Sequence, residues 1–104
     1  MNVTNTYHFT SSTPYSVSSL PRQREGVISQ VAGGEAVILD VDNGSYFALN
    51  TVGTRIWELC DGTRTTREIL SALCDQFEVP ADVASSDVAE LLEQLKREQL
   101  VTFD

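Results

Sequence analysis

The side chains that could carry chemistry in this chain are few and far apart. The single histidine, His8, stands near the N-terminus, so no Cys–His or Ser–His nucleophile pair and no imidazole-based metal cluster can be assembled from neighbouring motifs. Cys60 and Cys74 are fourteen residues apart in segments of helical pattern. That is neither zinc-ligand spacing nor a disulfide framework, and it fits two small hydrophobes kept reduced. Carboxylates abound, but Glu90, Glu93 and Glu98 fall on a polar helix face and Asp40 and Asp42 flank a turn, where solvation and capping account for them. The glycines sit at turns and helix ends, without the strand–glycine–helix fingerprint of a nucleotide loop. Gly53 is the exception, a glycine within a helical pattern, explained either by close approach to a sheet or as a tolerated weak spot. The residues therefore point to a protein without catalytic residues, metal or cofactor.

Composition narrows the partners. The chain has 104 residues, 41 % hydrophobic and 21 % charged, enough for one domain that buries about 60 to 70 % of its unfolded surface. Seven Lys and Arg against fifteen Asp and Glu give a net charge of −8, which repels a phosphate backbone and argues against nucleic acid. The longest apolar run, Ala36 to Leu39, is too short for a membrane span, and the first residues lack a secretory signal pattern. A cytoplasmic location is expected, with no membrane partner.

Residues 1–24, rich in Ser, Thr and Asn, show no sustained periodicity and read as a flexible tail, although Tyr7, Phe9, Tyr15 and Val17 could let part of it pair as a strand. The folded domain is expected over residues 25–104. From Val27 the segments VISQVA, EAVILDV and SYFAL alternate with Gly33–Gly34 and Asp42–Asn43–Gly44. They read as a three-stranded antiparallel meander with tight hairpins. The second strand, with four apolar residues in succession, is expected to be central and buried on both faces.

Asn50 or Thr51 can cap a first helix that presents Val52, Ile56, Leu59 and Cys60 to the sheet and ends at Asp61–Gly62. Thr65 and Glu68 form a capping box for a second helix, which buries Ile69, Leu70, Leu73 and Phe77 and stops at Val79–Pro80. A third helix is expected to start near Ser85 or Ser86, with Asp87 in its positive first turn and Val88, Leu91, Leu92 and Leu95 on one apolar face. The segment LVTF after Gln99 could add a short C-terminal strand. This order is that of an α+β winged helix-turn-helix: a three-stranded meander, then three closely spaced helices and a last strand.

The stretch from Ala36 to Val101 resembles the PqqD family. The resemblance is carried at the hairpin-to-helix junction by Leu39–Asp40, Gly44, Tyr46, Leu49–Asn50, Gly53, Ile56–Trp57, Leu59, Asp61–Gly62, Thr65 and Ile69. It implies a peptide chaperone, or recognition element, for ribosomally made and post-translationally modified peptides, most similar to the discrete recognition proteins of lasso-peptide pathways. In that family the precursor's leader peptide adds as a strand and lies between the third strand of the meander and the third helix. Carried over, the peptide-binding residues are Ser45, Tyr46, Phe47, Ala48 and Leu49 with Val88, Leu91, Leu92 and Leu95.

Edge-strand physics supports the same mode. Strand alternation lets only one pair, Tyr46 and Ala48 or Phe47 and Leu49, face the helix, and the sequence does not choose between them. The implied partners are the leader peptide and a modifying enzyme, whether leader peptidase, cyclase or radical SAM enzyme. The protein is expected as a monomer or, if the tail exchanges between chains, a domain-swapped dimer. The alternatives are an adaptor for another enzyme and a winged-helix DNA-binding regulator. DNA binding is disfavoured by Asp87, Glu90, Glu93 and Glu98 against Lys96 and Arg97 on the third helix.

Overall fold

The computed structural model describes residues 19–103. Its elements in chain order are β1 (Pro21–Gln23), β2 (Val27–Ala32), β3 (Glu35–Asp40), β4 (Ser45–Leu49), α1 (Thr51–Leu59), α2 (Thr66–Phe77), α3 (Ala81–Arg97) and β5 (Val101–Phe103). Strands β2, β3 and β4 form the expected antiparallel meander with β3 in the centre, and β1 pairs with β5 as a separate two-stranded ribbon. Gly33 and Gly34 both have positive φ, 63° and 81°, the backbone state that a two-residue hairpin between right-twisted strands demands.

The central strand departs from expectation. Ala36, Ile38 and Asp40 are buried, but Val37 and Leu39 are 48 % and 37 % exposed. All three helices contact one another, and α1 packs on the face of the sheet that carries Ile38. Among the described residues nothing covers the other face, with Ile28, Val37, Leu39 and Tyr46. An apolar run is buried on both sides only when layers cover both faces of its sheet, and the described residues cover one face alone.

Helix ends follow local chemistry. The Asn50 side chain accepts from the Gly53 N–H at 2.8 Å, and Thr65 and Glu68 form the reciprocal capping box. Helix α3 starts at Ala81, a turn earlier than Ser85 or Ser86, with Pro80 at the N-cap position and no side-chain cap. Proline's fixed φ suits the entry to a helix. Ala84, buried one turn before Val88, continues the apolar stripe and rewards the extra turn. At the other end Leu100 N–H donates to Leu95 C=O (2.8 Å) and Gln99 N–H to Lys96 C=O (2.9 Å), with Gln99 left-handed at φ 62°. This Schellman arrangement turns the chain back into β5.

Trp57, Ile38, Ile56, Ile69, Leu73, Val88, Leu92 and Leu100 fill the core. Each such side chain contributes about 1.5–3 kcal/mol by burial. Part of the segment expected as tail belongs to this fold. Pro21 is buried, Gln23 N–H donates to Cys60 C=O (3.0 Å), Gly62 N–H to Pro21 C=O (2.9 Å) and Thr66 N–H to Ser19 C=O (3.2 Å). Strand β1 thus ties the α1–α2 turn to β5. The rest of the expected tail, residues 1–18, lies outside the described residues, and with it His8 and any exchange of the tail between chains.

Arg24 fastens the two sheets together. Its guanidinium reaches Asp40 (2.9 Å), Asp42 (3.2 Å) and, through Nε, the Gln99 carbonyl (2.6 Å). The Asp40 carboxylate is only 5 % exposed and also accepts from Asp42 N–H (3.0 Å). Removing the cation strands a buried charge, which is costly. Because Arg24 itself is partly exposed, Arg24→Ala is expected to lower stability by about 1–3 kcal/mol in urea unfolding. A loss below 0.5 kcal/mol would show that the clamp is dispensable.

Candidate functional site

The sheet ends at β4, and the phase of its hydrogen bonds decides what that edge offers. Val41 N–H donates to Gly26 C=O (3.3 Å) on the β2 side. Backbone groups alternate along an antiparallel strand, so Val37 and Leu39 also bond toward β2, and Ala36, Ile38 and Asp40 face β4. Their partners Leu49, Phe47 and Ser45 therefore bond inward, and Tyr46 and Ala48 present N–H and C=O to the open edge. The end of the ladder is sealed by Thr54, whose buried hydroxyl accepts from Ala36 N–H (2.8 Å) and donates to Leu49 C=O (3.4 Å).

Side chains alternate in the same rhythm. Phe47 and Leu49 share a face with Ile38 and Ala36 and pack against the core. Tyr46, 73 % exposed, and Ala48 lie on the other face. Of the two pairs open to the sequence, Phe47 and Leu49 are the pair on the helix side.

Between β4 and α3 runs an open groove of two adjoining cavities. The larger, about 400 Å³, has an apolar floor from Leu49, Val52, Gly53, Ile56 and Leu91, with Asp87, Glu90 and Gln94 on the α3 side. The smaller, about 140 Å³, is lined by Phe47, Leu91, Leu95 and Leu100, with Gln94 and Glu98. Of the helix residues expected here, Leu91 lines both cavities and Leu95 the smaller. Val88 and Leu92 lie in the core, 2 % and 0 % exposed, and line neither. They hold α3 in place from behind.

The residues that the sequence reading omitted come from α1 and from the polar flank of α3. Gly53 is the clearest. A Cβ there would stand 3.3 Å from Asn50 Oδ1 and 3.5 Å from both Leu49 Cβ and Leu91 Cδ2. The tight approach is to the Asn50 cap, while Leu49 and Leu91 stand at ordinary contact distance across the groove floor. The signal in the sequence was the costly glycine itself.

Among the described residues no group of three or more His, Cys, Asp or Glu could hold a metal ion, and no helix is long and apolar enough to cross a membrane. The two cysteines are free thiols. Cys60 is fully buried and donates to Ile56 C=O (3.2 Å). Burial pushes its thiol up from about 9 to about 12, with the negative charge of Asp61 adding to the effect. Asp61 is itself held below the usual carboxylate range by the Thr63 hydroxyl and backbone N–H and by Arg64.

The chain belongs to the PqqD family: residues 35–101 match the family described as coenzyme PQQ synthesis protein D. Two solved structures are similar to this chain over most of their length. One is TbiB1 in complex with the TbiA(beta) leader peptide, 30 % identical with a TM-score of 0.71 over 77 % of this chain and 93 % of that one. The other is lasso peptide synthetase B1 complexed with the leader peptide, 26 % identical with a TM-score of 0.69 over 80 % and 98 %. No protein of curated function matches the chain.

The raised Cys60 value has a measurable consequence. The unfolded thiol ionises above about pH 9 while the folded one stays neutral to about pH 12, so its contribution to stability is complete below pH 9 and is lost as pH rises toward 12. Relative to Cys60→Ala, the protein should lose stability across that window. Iodoacetamide at pH 8 should spare Cys60 until urea unfolds the chain; rapid native labelling of Cys60 would contradict its burial.

Proposed function

We propose that this protein recognises the leader peptide of a ribosomally synthesised, post-translationally modified peptide precursor, of a lasso-peptide or PQQ-like pathway, without catalysing a reaction itself. The observation that carries this reading is the open edge of β4, where Tyr46 and Ala48 offer unpaired backbone groups beside a groove under α3. The leader adds as a fourth strand along Ser45–Leu49 and sets alternate side chains against Phe47, Leu49, Leu91 and Leu95. Main-chain bonds supply affinity and the groove supplies selection. Both cavities lie between β4 and α3, at the edge of the sheet opposite β2, which favours β4.

Bound in this way, the leader keeps its precursor at high effective concentration near a modifying enzyme, a leader peptidase, cyclase or radical SAM enzyme, in the cytoplasm. Membership of the PqqD family and the two leader-complexed structural neighbours support this partner class. The carboxylates Asp87, Glu90 and Glu98 along α3 make the same surface a poor reader of DNA.

A proline scan separates strand addition from other modes. Ala48→Pro removes an N–H that points to the open edge, which edge strands tolerate, whereas Phe47→Pro removes one that bonds β3. With the leader of the precursor encoded beside this gene, fluorescence polarisation should show Ala48→Pro folded but weakened at least about tenfold, equivalent to about 1.4 kcal/mol. Phe47→Pro should instead lose stability. Unchanged affinity in Ala48→Pro, or no binding of that leader by the wild type, would refute the proposal.

A further inference from the structure

Charge along the groove is one-sided. Asp40, Asp42, Glu58 and Asp61 each pair with an arginine. Asp87, Glu90 and Glu98 make no ion pair among the described residues. All three flank the cavities, Asp87 and Glu90 the larger and Glu98 the smaller. Asp87 and Glu90 are three apart on one helix, a spacing at which like charges destabilise by a few tenths of a kcal/mol. Lys96, six residues beyond Glu90, lies over the Phe103 ring at 5.9 Å, and it does not line either cavity.

The larger cavity therefore combines an apolar floor with an anionic rim. A wholly apolar guest would satisfy the floor and leave the two carboxylates side by side on the α3 rim without a counter-charge. A lysine or arginine satisfies both, because its methylene stem packs on apolar surface while its charged head stays at the rim. The smaller cavity is more enclosed by Phe47, Leu95 and Leu100 and takes a compact apolar side chain. An added strand projects residues i and i+2 to the same side, about 6.6 Å apart, and the cavities lie beside Leu49 and Phe47, which share that spacing.

We infer that the groove selects a peptide with a basic side chain two residues from a compact apolar one, the basic residue seated at Asp87 and Glu90. This deepens the leader-recognition reading and rests on it.

The test is selection of a phage-displayed library of random dodecapeptides on the intact protein and on the Asp87→Asn, Glu90→Gln double variant, both with matching circular dichroism. Peptides enriched on the wild type should carry Lys or Arg at a fixed position two residues from an apolar one, and the double variant should lose that bias. In the most enriched peptide, replacing the basic residue by norleucine should weaken binding to the wild type about three- to tenfold, an effect absent in the double variant and diminished by salt. Enriched peptides that bind at β4, as judged by loss of binding to Ala48→Pro, yet show no basic position or no norleucine effect, would overturn this inference alone. Failure of any peptide to enrich on the wild type would overturn the leader-recognition reading and this inference with it.

Discussion

An unfinished sheet edge is the constraint on which the rest of this molecule depends. Among the described residues no strand pairs with β4 on the side away from β3, and α3 lies alongside with a groove between. Helix α1 leaves β4 at once through the Asn50 cap, and the Thr54 hydroxyl closes the ladder where it begins to splay. Gly53 lets β4, α1 and α3 approach at one point without filling the space between them. The edge is open because its neighbours are fixed at a distance.

Holding that geometry empty needs stiffness from behind. Val88 and Leu92 anchor α3 in the core, and the Schellman turn at Gln99 sends the chain into β5. Arg24 joins that turn to the β3–β4 hairpin through the Gln99 carbonyl and Asp40. The two walls of the groove, β4 and α3, are thereby referenced to one guanidinium. A preorganised groove leaves less ordering entropy for a peptide to offset on binding.

Much of this was legible from local chemistry. Gly33–Gly34, the Asn50 cap and the Thr65–Glu68 box are signals that act within a few residues, and the structure has each of them. Phe47, Ala48 and Leu49 of β4 and the helix residues Leu91 and Leu95 line the groove, whereas Ser45 and Tyr46 line neither of its cavities. What was not legible depends on partners distant in sequence. Strand β1 exists because β5 and the α1–α2 turn accept it, and Pro21–Gln23 carries no strand signal of its own. Whether Val37 and Leu39 are buried depends on a second layer, and the described residues do not make one. The phase of β4 follows from a bond between Gly26 and Val41, which no pattern in SYFAL reveals. Asp87 and Glu90, readable only as a solvated helix face, gain meaning from the cavity beneath them.

The central claim is that a leader peptide completes the sheet at β4, and backbone amide hydrogen exchange with and without the neighbouring precursor's leader tests it most directly. The account predicts that the Tyr46 and Ala48 amides pass from fast to slow exchange on adding the peptide, while the Phe47 amide, already bonded to β3, changes little. Protection that appears along β2, or on Phe47 and not on Tyr46 and Ala48, would contradict it.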